Sequence, residues 1–170
     1  GVTVNGPLNT RGLDMEGVSS LIINTTGSVL ASGNGGTAGQ EVRTTGTGKI
    51  VVKTSNASSG SLMAKNATHT VNISFQRSLD QTNSNSATEW TLIGIPVAGE
   101  TLADLESEGK LATNGPKVGL GYFDNATGQW TTYTSGASVT LTQMKGYHAT
   151  PANSGTSITL EGTLLQSGWN

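Results

Sequence analysis

Hydrophobic positions in this chain come in short alternating runs, and glycine breaks them at nearly every step. In the first half, VTV at 2–4, SLIIN at 20–24, GSVLAS at 27–32, KIVVK at 49–53 and HTVNISF at 69–75 read as strands. In the last of these, Val71, Ile73 and Phe75 fall on one face and Asn72 and Ser74 on the other. The second half adds WTLIGIP at 90–96, VGLGYFD at 118–124, QWTTYTS at 129–135, ASVTLTQ at 137–143, GYHAT at 146–150 and TSITLEGTLL at 156–165. There Ile158 and Leu160 alternate with Thr159 and Glu161, which predicts one buried and one wet face. Only TLADLESEG at 101–109 predicts a helix: Thr101 can cap it, Asp104 holds the capping-box position and Gly109 ends it. Short strands with turn signals roughly every ten residues predict an all-β fold. The expected form is an antiparallel, jelly-roll-like β-sandwich, with one short helix near 101–108 and a Gly/Thr/Asn-rich N-terminal strand segment.

Two stretches modify that picture. Residues 4–24, VNGPLNTRGLDMEGVSSLIIN, take short apolar steps separated by Gly and Asn, as stacked solenoid turns do, yet no fixed period recurs. GNGGTAG at 33–39 reads as a flexible loop. Residues 1–88 contain one aromatic, Phe75, whereas the other seven lie between Trp90 and Trp169. The polar segment Asp80–Ser86 therefore separates a 1–88 strand segment from an aromatic-containing portion at 89–170, expected to form one structural unit.

Composition narrows the function classes. Thr, Ser, Asn and Gly number 26, 18, 13 and 24 of 170 residues, and charged residues are only 12%. This fits a β-protein with hydroxyl-rich faces and many turns. Nine basic and eleven acidic residues are scattered without runs, which argues against a nucleic-acid surface. Without cysteine there is no disulfide, thiol catalysis or thiolate metal site. No apolar stretch reaches the ~20 residues of a membrane helix, so no membrane insertion by helices is expected. The chain starts at Gly1, and removal of a secretion signal is one reading of that start.

Chemistry-bearing motifs are sparse. His69 and His148 lie outside any metal or triad spacing, and an exposed strand position is expected for each. Neither a Gly-x-Ser-x-Gly elbow nor a phosphate loop occurs. Glu100, Asp104, Glu106 and Glu108 crowd the helix, where early acids suit its positive end without catalysis. No catalytic residue and no cofactor are expected. Asp14 with Glu16, and Asp124 with Asn125, are the acid-bearing turns that structural calcium could use. Asn24, Asn56, Asn66, Asn72 and Asn125 stand in Asn-x-Ser/Thr sequons as candidate glycosylation sites, at about the number this composition produces by chance.

The densest aromatic stretch is GYFDNATGQWTTYTSGASVTL at 121–141. DNATG reads as a hairpin turn closed by Gly128, with Tyr122 and Trp130 packing across the paired strands. Trp130 and Tyr133 are the candidate glycan-stacking pair, although a separation of three puts them on opposite faces of a regular strand.

The second half resembles a β-sandwich module of large secreted and cell-surface proteins of Bacteroidota, often type IX secretion cargo. The resemblance rests on Trp90-Thr91-Leu92-Ile93-Gly94-Ile95-Pro96, Leu102 and Leu105, Tyr122 through Trp130, Tyr133, Gly146-Tyr147 and Leu160-Glu161-Gly162-Thr163-Leu164, over roughly residues 88–165. The family usually has an asparagine where Ile95 stands and an aromatic near Val97. The resemblance implies an extracellular β-rich building block and supplies no catalytic residue. The expected function is a non-enzymatic, secreted structural protein, a subunit or module of a surface fibre or adhesin. It would assemble with copies of itself by β-edge contacts or terminal-strand exchange, through Gly1, Val2, Thr3, Val4, Leu164, Leu165 and Trp169. The alternative is a carbohydrate-binding module recognising surface glycans.

Overall fold

The computed structural model describes residues 1–15, 17, 19–31, 42–55, 58–64, 71–79, 90–153 and 155–164. Glu16, Asn56, Asn66, His69, Leu165, Trp169, the 33–39 loop and the 80–86 connection lie outside the described residues. The fold is all-β with one short helix. The chain divides into two compact units, Gly1–Gln76 with Glu161–Asn170, and Arg77–Leu160.

In the first unit the chain winds in coils of short strands. The first coil is β1 (Val2–Val4), β2 (Pro7–Thr10) and β3 (Leu13–Met15). The second is β4 (Ser20–Ile23), β5 (Ser28–Ala31) and β6 (Val42–Thr44), and β7 (Lys49–Val52) and β8 (Ser61–Ala64) follow. β9 (Asn72–Ser78) begins in this unit and continues into the other. Each strand pairs in parallel with its counterpart in the next coil. The ladders are β1-β4-β7-β9, β2-β5-β8 and β3-β6, the connectivity of a β-solenoid. The expected antiparallel pairing is therefore corrected for this half. Alternation identifies a strand but not the direction of its partner, and Asn5-Gly6 and Arg11-Gly12 here turn corners between strands instead of closing hairpins.

Columns of equivalent side chains run through the ladders. Val2, Leu21, Ile50 and Ile73 form one inward column, and Val4, Ile23, Val52 and Phe75 another. The steps from Val2 to Leu21, Ile50 and Ile73 are 19, 29 and 23 residues, so stacking is regular in space although the sequence has no period. Coils approach closely at the corners. A Cβ on Gly27 would strike the Val4 carbonyl, and one on Gly48 would sit 2.7 Å from the Met15 carbonyl oxygen. Side chains reinforce the stack: Asn24 Nδ2 donates to Asn5 Oδ1 (3.0 Å), and Arg43 Nε donates to its ladder neighbour Asp14 Oδ2 (2.7 Å). In β9, Val71 precedes the strand and is buried with Ile73, and Ser74 on the other face is buried too.

The second unit pairs antiparallel. Its elements are β10 (Thr91–Gly94), β11 (Val97–Ala98), α1 (Leu102–Ser107), β12 (Thr113–Asn114), β13 (Lys117–Asp124), β14 (Gln129–Thr134), β15 (Gly146–Ala149) and the start of β16 (Ser157–Leu164). The sheet runs β10-β15-β13-β12, with β14 on the other edge of β13. Ile93, Ile95, Val97, Leu102, Leu105, Val118, Leu120, Tyr147, Ile158 and Leu160 are all buried. The helix follows its sequence signals. Thr101 accepts from the Asp104 N–H, Asp104 Oδ2 accepts from the Thr101 N–H, and Gly109 terminates the turn at φ 64°. Residues 137–143, expected as a strand, instead form a loop in which only Thr140 bridges, to Thr101.

Candidate functional site

The β13–β14 hairpin sorts its aromatics onto two faces. Gly128 closes the turn at φ 67°, its N–H donating to the Asp124 carbonyl (2.8 Å), and Ala126 N–H donates to Asp124 Oδ1 (2.9 Å). The Ala126 N–H, with the Thr127 hydroxyl next in weight, holds the Asp124 carboxyl below the usual carboxylate range. Across the ladder Phe123 faces Trp130, with ring centroids 5.4 Å apart, and Tyr122 faces Thr131. The cross-strand partner of Trp130 is thus Phe123 and not Tyr122.

On the outer face Trp130 also meets Trp90 (5.2 Å) and His148 (5.0 Å), while His148 stands edge-on to Trp90 at 6.0 Å. Trp90 and Trp130 are 49% and 47% exposed, and Leu92 beside them 59%. His148 was expected at an exposed position; it is half-buried, and its Nε2 is sealed from solvent. Burial lowers its pKa. The Thr131 carbonyl, beside Nε2 but outside hydrogen-bond geometry, offsets part of that effect. Gly121 makes this arrangement fit, because a Cβ there would collide with His148 Nε2 and the Thr131 carbonyl. Next to the aromatics lies an open cleft of about 350 Å³, lined by Trp90, His148, Thr132, Thr150, Asn114 and Lys117 among others.

On the opposite face Tyr133 packs with Tyr122 (5.6 Å) and Tyr147 (6.5 Å). Lys145 Nζ lies 3.7 Å from the Tyr122 ring centroid, close enough for a cation–π attraction. Tyr147 is buried, and its hydroxyl accepts from the Thr142 N–H (2.8 Å). Desolvation, then the neighbouring tyrosines, push the Tyr133 phenol up to about 12. Trp130 and Tyr133 are therefore separated, as their spacing requires. The signal that puts Trp90 on the outer face of its strand is also present in the sequence. In WTLIGIP, Trp90, Leu92 and Gly94 alternate with the buried Ile93 and Ile95.

The helix acids are engaged by backbone and side-chain donors. Glu106 Oε2 accepts from the Gly136 N–H (3.1 Å), and Glu108 accepts from the Thr159 N–H (3.0 Å) and faces Lys110 Nζ (3.3 Å). Glu100 is buried. Among the described residues no three His, Cys, Asp or Glu side chains cluster to hold a metal ion, and no helix is long and apolar enough to cross a membrane. Of the described sequon asparagines, Asn24 and Asn72 are half-buried and donate from Nδ2 to Asn5 Oδ1 and to the Gly48 carbonyl (3.4 Å). Asn125 is exposed at the hairpin tip.

The N-terminal assembly candidates occupy the first coil, where β1, β2 and β3 each lie at the edge of a sheet. Val4 is buried, but Val2 is 60% exposed at a column position where Leu21, Ile50 and Ile73 are 3%, 0% and 2% exposed. Leu8 is 37% exposed where its column neighbour Val29 is 2% exposed. Leu164 is half-buried at the end of β16, its N–H donating to the Val71 carbonyl (2.9 Å). Compared with known proteins, the chain matches no family model, no curated protein and no solved structure.

Proposed function

We propose that the chain is a non-enzymatic structural module of an extracellular surface fibre or adhesin, and that it joins a second copy of itself through its open first coil. The observation that carries this reading is Val2, an apolar side chain exposed at a position that is core in every later coil. Three unpaired strand edges surround it, and such edges template pairing with another chain. Burying what is still exposed of Val2 and Leu8 would contribute about 1–2 and about 0.5–1 kcal/mol, a fraction of the full side-chain value.

The geometry favours edge contact over strand exchange, because β1 is already paired with β4 and Leu164 with Val71. In the first sheet β9 is followed by β16 and then β11, and the meeting proposed is first coil to first coil. That is a two-fold contact, which closes as a dimer and makes the pair the unit of any larger assembly. Secretion and a structural role are supported by the hydroxyl-rich, weakly charged composition and by the resemblance of residues 88–165 to surface modules. The helix acids, held by backbone N–H groups, support the non-enzymatic reading.

Sedimentation velocity over a range of concentrations tests the proposal. The natural chain should pass from monomer to dimer, and Val2→Lys with Leu8→Lys should remain monomeric with unchanged circular dichroism. A monomer at every concentration, or a dimer indifferent to both lysines, would overturn it.

A further inference from the structure

The outer face of the β10–β15–β13–β14 sheet has a feature that local folding does not explain. Gly94 and Gly146 stand directly opposite each other on neighbouring strands. Neither has a positive φ, and a Cβ on either would meet nothing within 4 Å. Gly94 ends β10 and Gly146 begins β15, so that corner of the outer face carries no side chain and stays open to an approaching molecule. These glycines continue the alternating positions that carry Leu92 and His148. Two half-exposed tryptophans, Trp90 and Trp130, stand over the same face. An apolar cluster of that kind left in water marks a binding surface.

We propose that this face binds a neutral saccharide. The C–H face of a pyranose ring packs on Trp90 and Trp130, and its hydroxyls bond with Thr132, Thr150 and Asn114 around the cleft. Aromatic rings beside hydroxyl and amide groups match a ligand with one apolar face and a polar perimeter. The cleft of about 350 Å³ sits at the small end of ligand sites and suits one or two rings. Charge favours a neutral ligand, since among the described residues Lys117 is the only Lys or Arg lining the cleft, and a nucleic-acid strand would need a basic track. His148, edge-on to both indoles at 78°, is a positioning residue that sets their orientation. The surface is independent of the first coil.

The test is tryptophan fluorescence titration of the full chain with cellohexaose, xylohexaose, mannohexaose and maltohexaose, with polygalacturonate as the acidic comparison. At least one neutral oligosaccharide should bind. Trp90→Ala and Trp130→Ala should each weaken it by about tenfold or more. Because Trp130 also braces the hairpin, Thr132→Val is the second variant. It removes a hydroxyl from the cleft wall and leaves a residue that strands favour, so it should weaken binding at unchanged thermal stability. No binding by any of the four, tighter binding of polygalacturonate, or binding indifferent to Thr132→Val would overturn the proposal.

Discussion

At the scale of single residues, two kinds of glycine have different consequences. Gly27 is required by contact, because a Cβ would enter the space of the Val4 carbonyl on the next coil, and backbone there cannot yield without breaking the stack. Gly27→Ala should destabilise the chain by about 1–3 kcal/mol. A Cβ on Gly6 would meet nothing within 4 Å, so Gly6→Ala should be neutral or slightly stabilising; urea unfolding of the two variants compares them. His148 gives a pH signature. Its folded-state pKa is depressed by burial, whereas the unfolded imidazole titrates near 6.5. Between those values the unfolded state binds more protons, so stability is full above about 6.5 and lost as pH falls toward the folded value. Urea midpoints should therefore decline on mild acidification, and His148→Phe should flatten that decline. Tyr133 acts on the alkaline side. Its phenol, raised to about 12, favours the protonated fold, and that contribution is lost as pH rises from about 10 through 12. Neither burial was legible in the sequence. Both depend on which strands lie beside β13, and spacing along one strand carries no information about that.

At the scale of elements, legibility followed locality. The helix was readable in full because its signals lie within one turn: Thr101 and Asp104 form the capping box and Gly109 ends it. Thr101→Ala removes that cap and should cost about 1 kcal/mol, measurable as a lowered unfolding midpoint. The hairpin turn was equally local, but its register was not read: the four-residue turn puts Phe123, not Tyr122, opposite Trp130. Strand existence was also legible for β1, β4, β5, β7, β10, β13, β14, β15 and β16, from alternation alone. The direction of pairing was not. Parallel ladders join residues 19 to 29 positions apart through corners of uneven length, and those corners use the same Asn and Gly that close hairpins elsewhere. β2, β3 and β6 were missed because three or four residues of mixed polarity carry no period; the ladder, not their sequence, makes them strands.

At the scale of the whole molecule, stacking supplies what short strands cannot supply singly. Each coil buries its inward residues only against the next, so a solenoid requires something at each end. β16 follows β9 in the first ladder and β8 and β6 end the other two, while at the first coil β1, β2 and β3 are all edges. The central claim is that a second copy covers this open end. Hydrogen exchange read by mass spectrometry at low and at high protein concentration tests it most directly. Amides of residues 2–15 should gain protection as concentration rises, while those of residues 49–52, inside the stack at every concentration, should not change. Equal exchange of residues 2–15 at both concentrations would contradict the account.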